Sequence, residues 1–324
     1  MNDKRHPDRP LWTPDPAWSA TTRMAAFTEH ARAVSGAALA SYADLHAWSI
    51  TAPEQFWPAV WEFCGVVGER GERILIDPQQ MPGARWFPDA RFNFAQNLLR
   101  DCANPEALVF WGEDKVKRTM TRAELREQVA RFAAALRESG VGVGDRVAVY
   151  LPNLPETIIA MLAVASIGAV FTSTSPDFGV QGVFDRFGQI EPKILIACDG
   201  YWYNGKAIDV RDKLTELVPR LPSVERLILV PYLHNEADVQ ATELPKGVSW
   251  ARFVAPHAAA TEPEFIPLPF DHPLYILYSS GTTGTPKCIV HGAGGTLLQH
   301  LKEHQLHTDI REGDRLFYFT TCGW

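Results

Sequence analysis

Apolar positions recur at helical spacing over residues 24–40 and again over 45–60, with Trp48, Phe56, Trp57, Trp61 and Phe63 gathered around the second stretch. Residues three and four apart share one helical face, so both stretches predict amphipathic helices. The aromatic side chains read as the packing of an N-terminal cap on a larger body. From Glu106 the period changes. Residues 107–111 and 116–120 predict a β-hairpin around Gly112-Glu113-Asp114, and Thr121-Arg122-Ala123-Glu124 reads as a capping box. Leu125, Val129, Phe132 and Leu136 then form the apolar face of a helix; Arg122, Arg126, Glu127 and Arg137 mostly occupy the other side, and Gly140 is its C-terminal stop.

Beyond it the pattern predicts a strand at 147–151, a helix at 157–167 and a strand at 169–172, then helix 181–189, strand 193–197, helix 210–217 and strand 224–230. Strands at this spacing with helices between them define an α/β class, with mostly parallel sheets built from right-handed βαβ units and flanked by helices. Gly140-Val141-Gly142-Val143-Gly144 lacks the G-x-G-x-x-G spacing and precedes a strand instead of following one, so it reads as a helix-to-strand turn, not a dinucleotide site. Residues 231–273 interrupt the alternation with acidic residues, prolines and Ala258-Ala259-Ala260. They read as a linker or surface excursion with one short strand near 248–253. Residues 274–278 predict a buried strand, 296–307 a helix, and 315–321 a strand leading into Cys322-Gly323-Trp324.

Composition narrows the class. With 324 residues, 46% apolar and 21% charged, the chain can bury a large core, expected as two subdomains. Its net charge of −7 disfavours nucleic acid as a partner, and an anionic substrate must be gathered by local groups. Five scattered cysteines without a C-x-x-C pair read as reduced thiols, which with the charged, proline-bearing first ten residues points to the cytoplasm. The longest nearly apolar run, 158–171, is too short to span a bilayer, so no membrane association is expected.

The candidate chemistry follows the strand at 274–278, in Tyr278-Ser279-Ser280-Gly281-Thr282-Thr283-Gly284-Thr285-Pro286-Lys287. Glycines permit close backbone approach, so successive N–H groups can converge on an anion. The hydroxyls add donors, and Lys287 adds a compact positive charge. This reads as a phosphate-holding loop. It is not a Walker loop, because Gly281, Gly284 and Lys287 fall three apart with Pro286 before the lysine. A rival motif, His300-Leu301-Lys302-Glu303-His304, matches the H-x-x-E-H pattern of inverted zinc peptidases, with two histidines on one helical face. Only twenty residues follow His304, leaving little room for a third ligand. A polar helix face is the better reading. No G-x-S-x-G elbow and no evident pair of catalytic carboxylates appears.

The loop resembles the signature of the adenylate-forming superfamily, which includes acyl-CoA synthetases, luciferases and nonribosomal-peptide adenylation domains. Ser175-Pro176-Asp177-Phe178-Gly179, the segment Cys288 to Gly292, and Trp86-Phe87-Pro88 followed by the run Asn93 to Leu99 are most similar to the acetoacetate-activating branch of the acyl-CoA synthetases. The resemblance implies stacked, mostly parallel sheets, with residues 1–100 as an N-terminal extension and 101–324 as an incomplete AMP-dependent ligase domain. It implies ATP, Mg2+ and coenzyme A as cofactor and co-substrates and acetoacetate as the acid. Ser279, Ser280, Gly281, Thr282, Thr283, Gly284 and Lys287 would surround the ATP phosphates, and Trp324 would close the acyl pocket. The family's adenine-binding segment, its T-G-D motif and its adenylating lysine are not found in this sequence. The expectation is therefore an N-terminal portion with no catalytic residue of its own, inactive alone. An acetyl- or propionyl-type synthetase and a non-catalytic folded remnant stay open beside the zinc peptidase.

Overall fold

The computed structural model describes residues 12–234, 241–279 and 284–323, and the chain divides into two units. The first comprises residues 1–66 and 298–314. Its helices are α1 (Pro16–Ser19), α2 (Arg23–Ser35), α3 (Tyr42–Thr51) and α4 (Pro53–Phe63). The helix expected over 45–60 is thus two helices. Pro53 disfavours helical geometry at Ala52 and then takes the first position of α4, where its missing N–H costs nothing. Phe27 lies edge-on to Phe56 (5.9 Å) and Phe63 (5.4 Å), and Trp48 packs edge-on against Phe56. Within this unit the aromatic residues therefore form a core of their own.

The second unit comprises residues 67–297 and 315–324. It begins with short paired strands, β1 (Gly68–Glu69), β2 (Leu75–Ile76), β3 (Arg85–Trp86) and β4 (Arg91–Phe92), and the helix α5 (Phe94–Leu98). The expected hairpin follows as β5 (Glu106–Gly112) and β6 (Val116–Thr121). It leads into α6 (Arg122–Glu138), whose capping box is present: Glu124 N donates to Thr121 Oγ1 at 3.2 Å and Thr121 N to Glu124 Oε2 at 2.7 Å. Thr121→Ala is expected to cost about 1 kcal/mol in a urea unfolding curve. Leu125, Val129, Phe132 and Leu136 are buried as the periodicity requires, and Gly140, at φ +77°, ends the helix.

The alternation then runs β7 (Arg146–Tyr150), α7 (Pro155–Ser166), β8 (Val170–Thr174), α8 (Val180–Phe187), β9 (Ile194–Cys198). A hairpin, β10 (Gly200–Tyr203) and β11 (Lys206–Asp209), precedes α9 (Arg211–Arg220) and β12 (Arg226–Val230). After β13 (Gly247–Ser249) and α10 (Trp250–Val254) come β14 (Pro273–Ser279), β15 (Lys287–Gly292) and α11 (Ala293–Leu301), which carries the chain back into the first unit. Seven strands form one sheet in the order β13-β12-β9-β7-β8-β14-β15, parallel throughout except for the antiparallel edge strand β15. The expected α/β architecture with a mostly parallel sheet is borne out. Among the described residues no helix is long and apolar enough to cross a membrane.

Three further expectations differ from the structure. Of residues 231–273, the described residues 241–273 are no loose excursion: β13 extends the sheet, and Trp250 stacks on Phe132 with ring centroids 4.2 Å apart. The strand expected over 248–253 stops at Ser249, because the Ser249 side chain caps α10. Residues 315–321 are not a strand. Leu316, Phe317, Tyr318 and Phe319 are exposed, and alternation alone does not make a strand without a partner to pair with.

Candidate functional site

The connections place the site. The chain steps from β7 through α7 to β8 on one side, and from β8 through α8 to β9 on the other side of β7. Right-handed crossovers in opposite directions put α7 and α8 on opposite faces, so the strand order reverses between β7 and β9, where the rule for such sheets expects a crevice at their carboxyl ends. β14 lies parallel beside β8 and ends at the same edge. There the candidate phosphate loop begins.

Ser279 is the last residue of β14 and pairs in register with Lys287, the first residue of β15. The loop is therefore the turn of a hairpin. A strand that the sequence reading did not assign, β15, follows it at once. Ser279 is half-buried and Lys287 is exposed. Gly284 sits at φ +121°, where a side chain would be strained although the space around it is open. Ser280, Gly281, Thr282, Thr283 and Trp324 lie outside the described residues.

The frame around the loop is made of side chains that the sequence reading did not single out. Thr172 Oγ1 on β8 donates to the Ile276 carbonyl (2.8 Å) and lies 3.0 Å from the Tyr278 hydroxyl, whose pKa is pushed up by burial. Tyr150, fully buried at the end of β7, has its hydroxyl 2.8 and 2.6 Å from the carbonyls of Pro176 and Phe178. The Ser175–Gly179 segment is thereby tied to the sheet. On the other flank Asn153 acts as a substitute peptide: its Nδ2 donates to the Thr320 carbonyl at 2.6 Å, and its Oδ1 accepts from Cys322 N at 3.0 Å. Ser173 Oγ donates to the Cys322 carbonyl. A Cβ on Gly323 would press on the backbone of Ser173 and Thr174 at 3.2 Å. The residues leading to Trp324 are thus held against β8 by side-chain clasps instead of strand pairing. The only sequence cue was the glycine before the tryptophan.

Beside this clasp is an apolar cavity of about 200 Å³ lined by Thr157, Ile158, Met161, Phe171, Tyr275 and Cys322. Burial pushes the Cys322 thiol up to about 11 and raises that of Cys198 further. At pH 8 both thiols are mainly protonated, so a maleimide is expected to label exposed Cys102 well before either; mass mapping of the first labelled peptide checks this.

His300 and His304 stack with centroids 6.0 Å apart, but Glu303 is engaged by Lys302 Nζ (2.6 Å) and Gln299 Nε2 (2.9 Å). The Lys302 ammonium also holds its carboxyl below the ordinary range. Residues Lys302–His307 form a π-helical turn, which shifts the register an H-x-x-E-H site needs. Among the described residues no group of three metal-ligating side chains is gathered.

The profile of the family described as "AMP-binding enzyme" matches residues 94–324, and the chain belongs to that family. A second profile, "Acetyl-coenzyme A synthetase N-terminus", matches residues 42–98. Among characterised relatives, the acetoacetyl-coenzyme A synthetase of Rhizobium meliloti (strain 1021) is 53% identical over 317 residues, covering 98% of this chain and 48% of its own length. The acetoacetyl-CoA synthetase of Mus musculus is 44% identical over 97% of this chain and 47% of its own. The solved structure of acetoacetyl-CoA synthetase from Streptomyces lividans superposes with a TM-score of 0.90 at 44% identity, over 98% of this chain and 48% of that one. The chain spans about half the length of the relatives it matches.

Proposed function

We propose that this chain provides the phosphate-holding part of an acetoacetate–CoA ligase. In that reaction a carboxylate oxygen of acetoacetate attacks the α-phosphorus of ATP, the bond to pyrophosphate breaks, and acetoacetyl-AMP forms. The thiolate of coenzyme A then attacks the acyl carbon and AMP leaves. The first step gathers negative charge on the α-phosphoryl oxygens and on the leaving pyrophosphate, so prearranged donors and positive charge lower its barrier most.

The observation that carries this reading is the hairpin that sets Ser279 opposite Lys287 at the carboxyl edge of the sheet, in a chain 53% identical to an acetoacetyl-CoA synthetase. In the proposal Ser279, Ser280, Thr282, Thr283 and Lys287 surround the β- and γ-phosphates, and Gly281 and Gly284 allow the backbone to approach. Lys287 supplies the fixed positive charge. Mg2+ bound with the triphosphate would neutralise part of its negative charge. Trp324, led in by the clasped segment 320–323, closes the acyl pocket and favours a short 3-oxo acid. Residues 1–100 serve as an extension of the ligase domain at 101–324, and the protein works in the cytoplasm.

Calorimetric titration of the 324-residue chain with Mg·ATP tests the phosphate assignment. Binding that pyrophosphate competes away and adenosine does not is the expected result. Binding that is competed by adenosine alone, or no binding, would remove it.

A further inference from the structure

Both limbs of the phosphate hairpin are touched by one helix. Gln189, just beyond α8, donates from Nε2 to the Pro286 carbonyl at 2.9 Å and to the Asp185 carbonyl at 2.6 Å. Arg186 lies 4.2 Å over the ring of Phe178 and 5.9 Å from that of Tyr278, with Nη1 donating to the Gly182 carbonyl at 2.7 Å. Pro286 immediately precedes Lys287, and Tyr278 immediately precedes Ser279. The end of α8 therefore braces the residues next to both members of the pair that faces across the loop. The beginning of α8 is fixed separately, since Tyr150 and the ammonium of Lys213 (3.2 and 3.3 Å) bind the carbonyls of Pro176 and Phe178.

We propose that Gln189 and Arg186 are positioning residues for triphosphate binding, holding the two limbs of the loop at a fixed separation through α8. This rests on the phosphate reading of the loop. Limbs fixed beforehand reduce the ordering cost of binding an anion between them. Gln189 is exposed, so water can solvate the Pro286 carbonyl once the donor is gone. Fold stability should then barely change while ligand affinity falls. A merely structural contact would give the opposite pattern.

The test is the affinity of the 324-residue chain for Mg·ATP, measured by calorimetry with melting temperatures, for the wild type, Gln189→Ala, Gln189→Lys and Lys287→Ala. Gln189→Ala is expected to weaken binding about fivefold, the scale of one neutral hydrogen bond, at unchanged melting temperature. Gln189→Lys, which keeps a donor of similar reach, is expected to restore it. Wild-type affinity in Gln189→Ala beside weakened binding in Lys287→Ala would overturn the inference and leave the phosphate reading intact. Failure of the lysine to rescue, or a fall in melting temperature that tracks the affinity, would also overturn it. No effect of Lys287→Ala, or no binding by the wild type, would instead overturn the phosphate reading and the inference with it.

Discussion

Asn93→Ala is expected to lower the unfolding free energy by about 2–4 kcal/mol, the sum of a lost helix cap and the Ile266 carbonyl left without its donor, since the Ala165 and Ser166 carbonyls keep the amides of Gly168 and Ile266. Asn93 is 1% exposed and works with both ends of its amide. Oδ1 accepts from Ala95 N (2.9 Å) and Gln96 N (3.3 Å), which caps α5. Nδ2 lies 3.1, 3.0 and 2.9 Å from the carbonyls of Ala165, Ser166 and Ile266, so it joins the end of α7 to the segment before β14. Alanine fills none of these roles, and the site is too buried for water to replace them. Asn93→Asp would keep the cap and turn a carboxylate on three carbonyls, so it should be no better. Urea unfolding followed by tryptophan fluorescence measures both variants. A loss below about 1 kcal/mol for the alanine would mean that water reaches these carbonyls after all.

The second large effect is expected at Lys287. Lys287→Ala should weaken Mg·ATP binding by about tenfold to a hundredfold, the range of one hydrogen bond to a charged group. Its melting temperature should stay near that of the wild type, because Lys287 is exposed and sits at the first position of an edge strand. Lys287→Arg keeps the charge but replaces a compact ammonium by a planar fork, so it should recover only part of the affinity. Equal affinities for wild type and alanine variant would place the triphosphate elsewhere.

The alternation of sheet strands and helices from residue 146 to 230 was legible because β7, β9 and β12 are buried apolar runs between clear helix starts and stops. β7 and β9 are buried along nearly their whole length, and α6 carries its capping box, apolar face and terminal glycine in the order that the rules require. The hairpin of β10 and β11 was missed although its cue was present. Asn204 and Gly205 take φ +50° and +73°, as a two-residue primed turn demands, and Asn-Gly is its usual sequence. β15 was missed for a different reason: Lys287–Gly292 is an edge strand with exposed Ile289 and Val290, and a partner on one side only leaves little periodic signal.

The candidate site was readable as a motif but not as a frame. Ser279, Gly284 and Lys287 are recognisable from spacing, because backbone approach and charge require those residue types in that order. Asn153, Ser173, Thr172 and Gln189 are ordinary polar residues in the sequence. They acquire roles only because the sheet order brings β7, β8 and β14 together, and that order depends on pairings more than a hundred residues apart along the chain.

This chain is proposed to take part in activating acetoacetate. The most direct test is acid-dependent pyrophosphate release from Mg·ATP, by the 324-residue chain alone and by the chain joined to the part of the Rhizobium meliloti relative that it does not span. The expected result is release by the joined protein that is stimulated by acetoacetate well above acetate, and little or none by the shorter chain. Stimulation by acetate equal to or above that by acetoacetate, or silence from a joined protein that binds Mg·ATP, would contradict it.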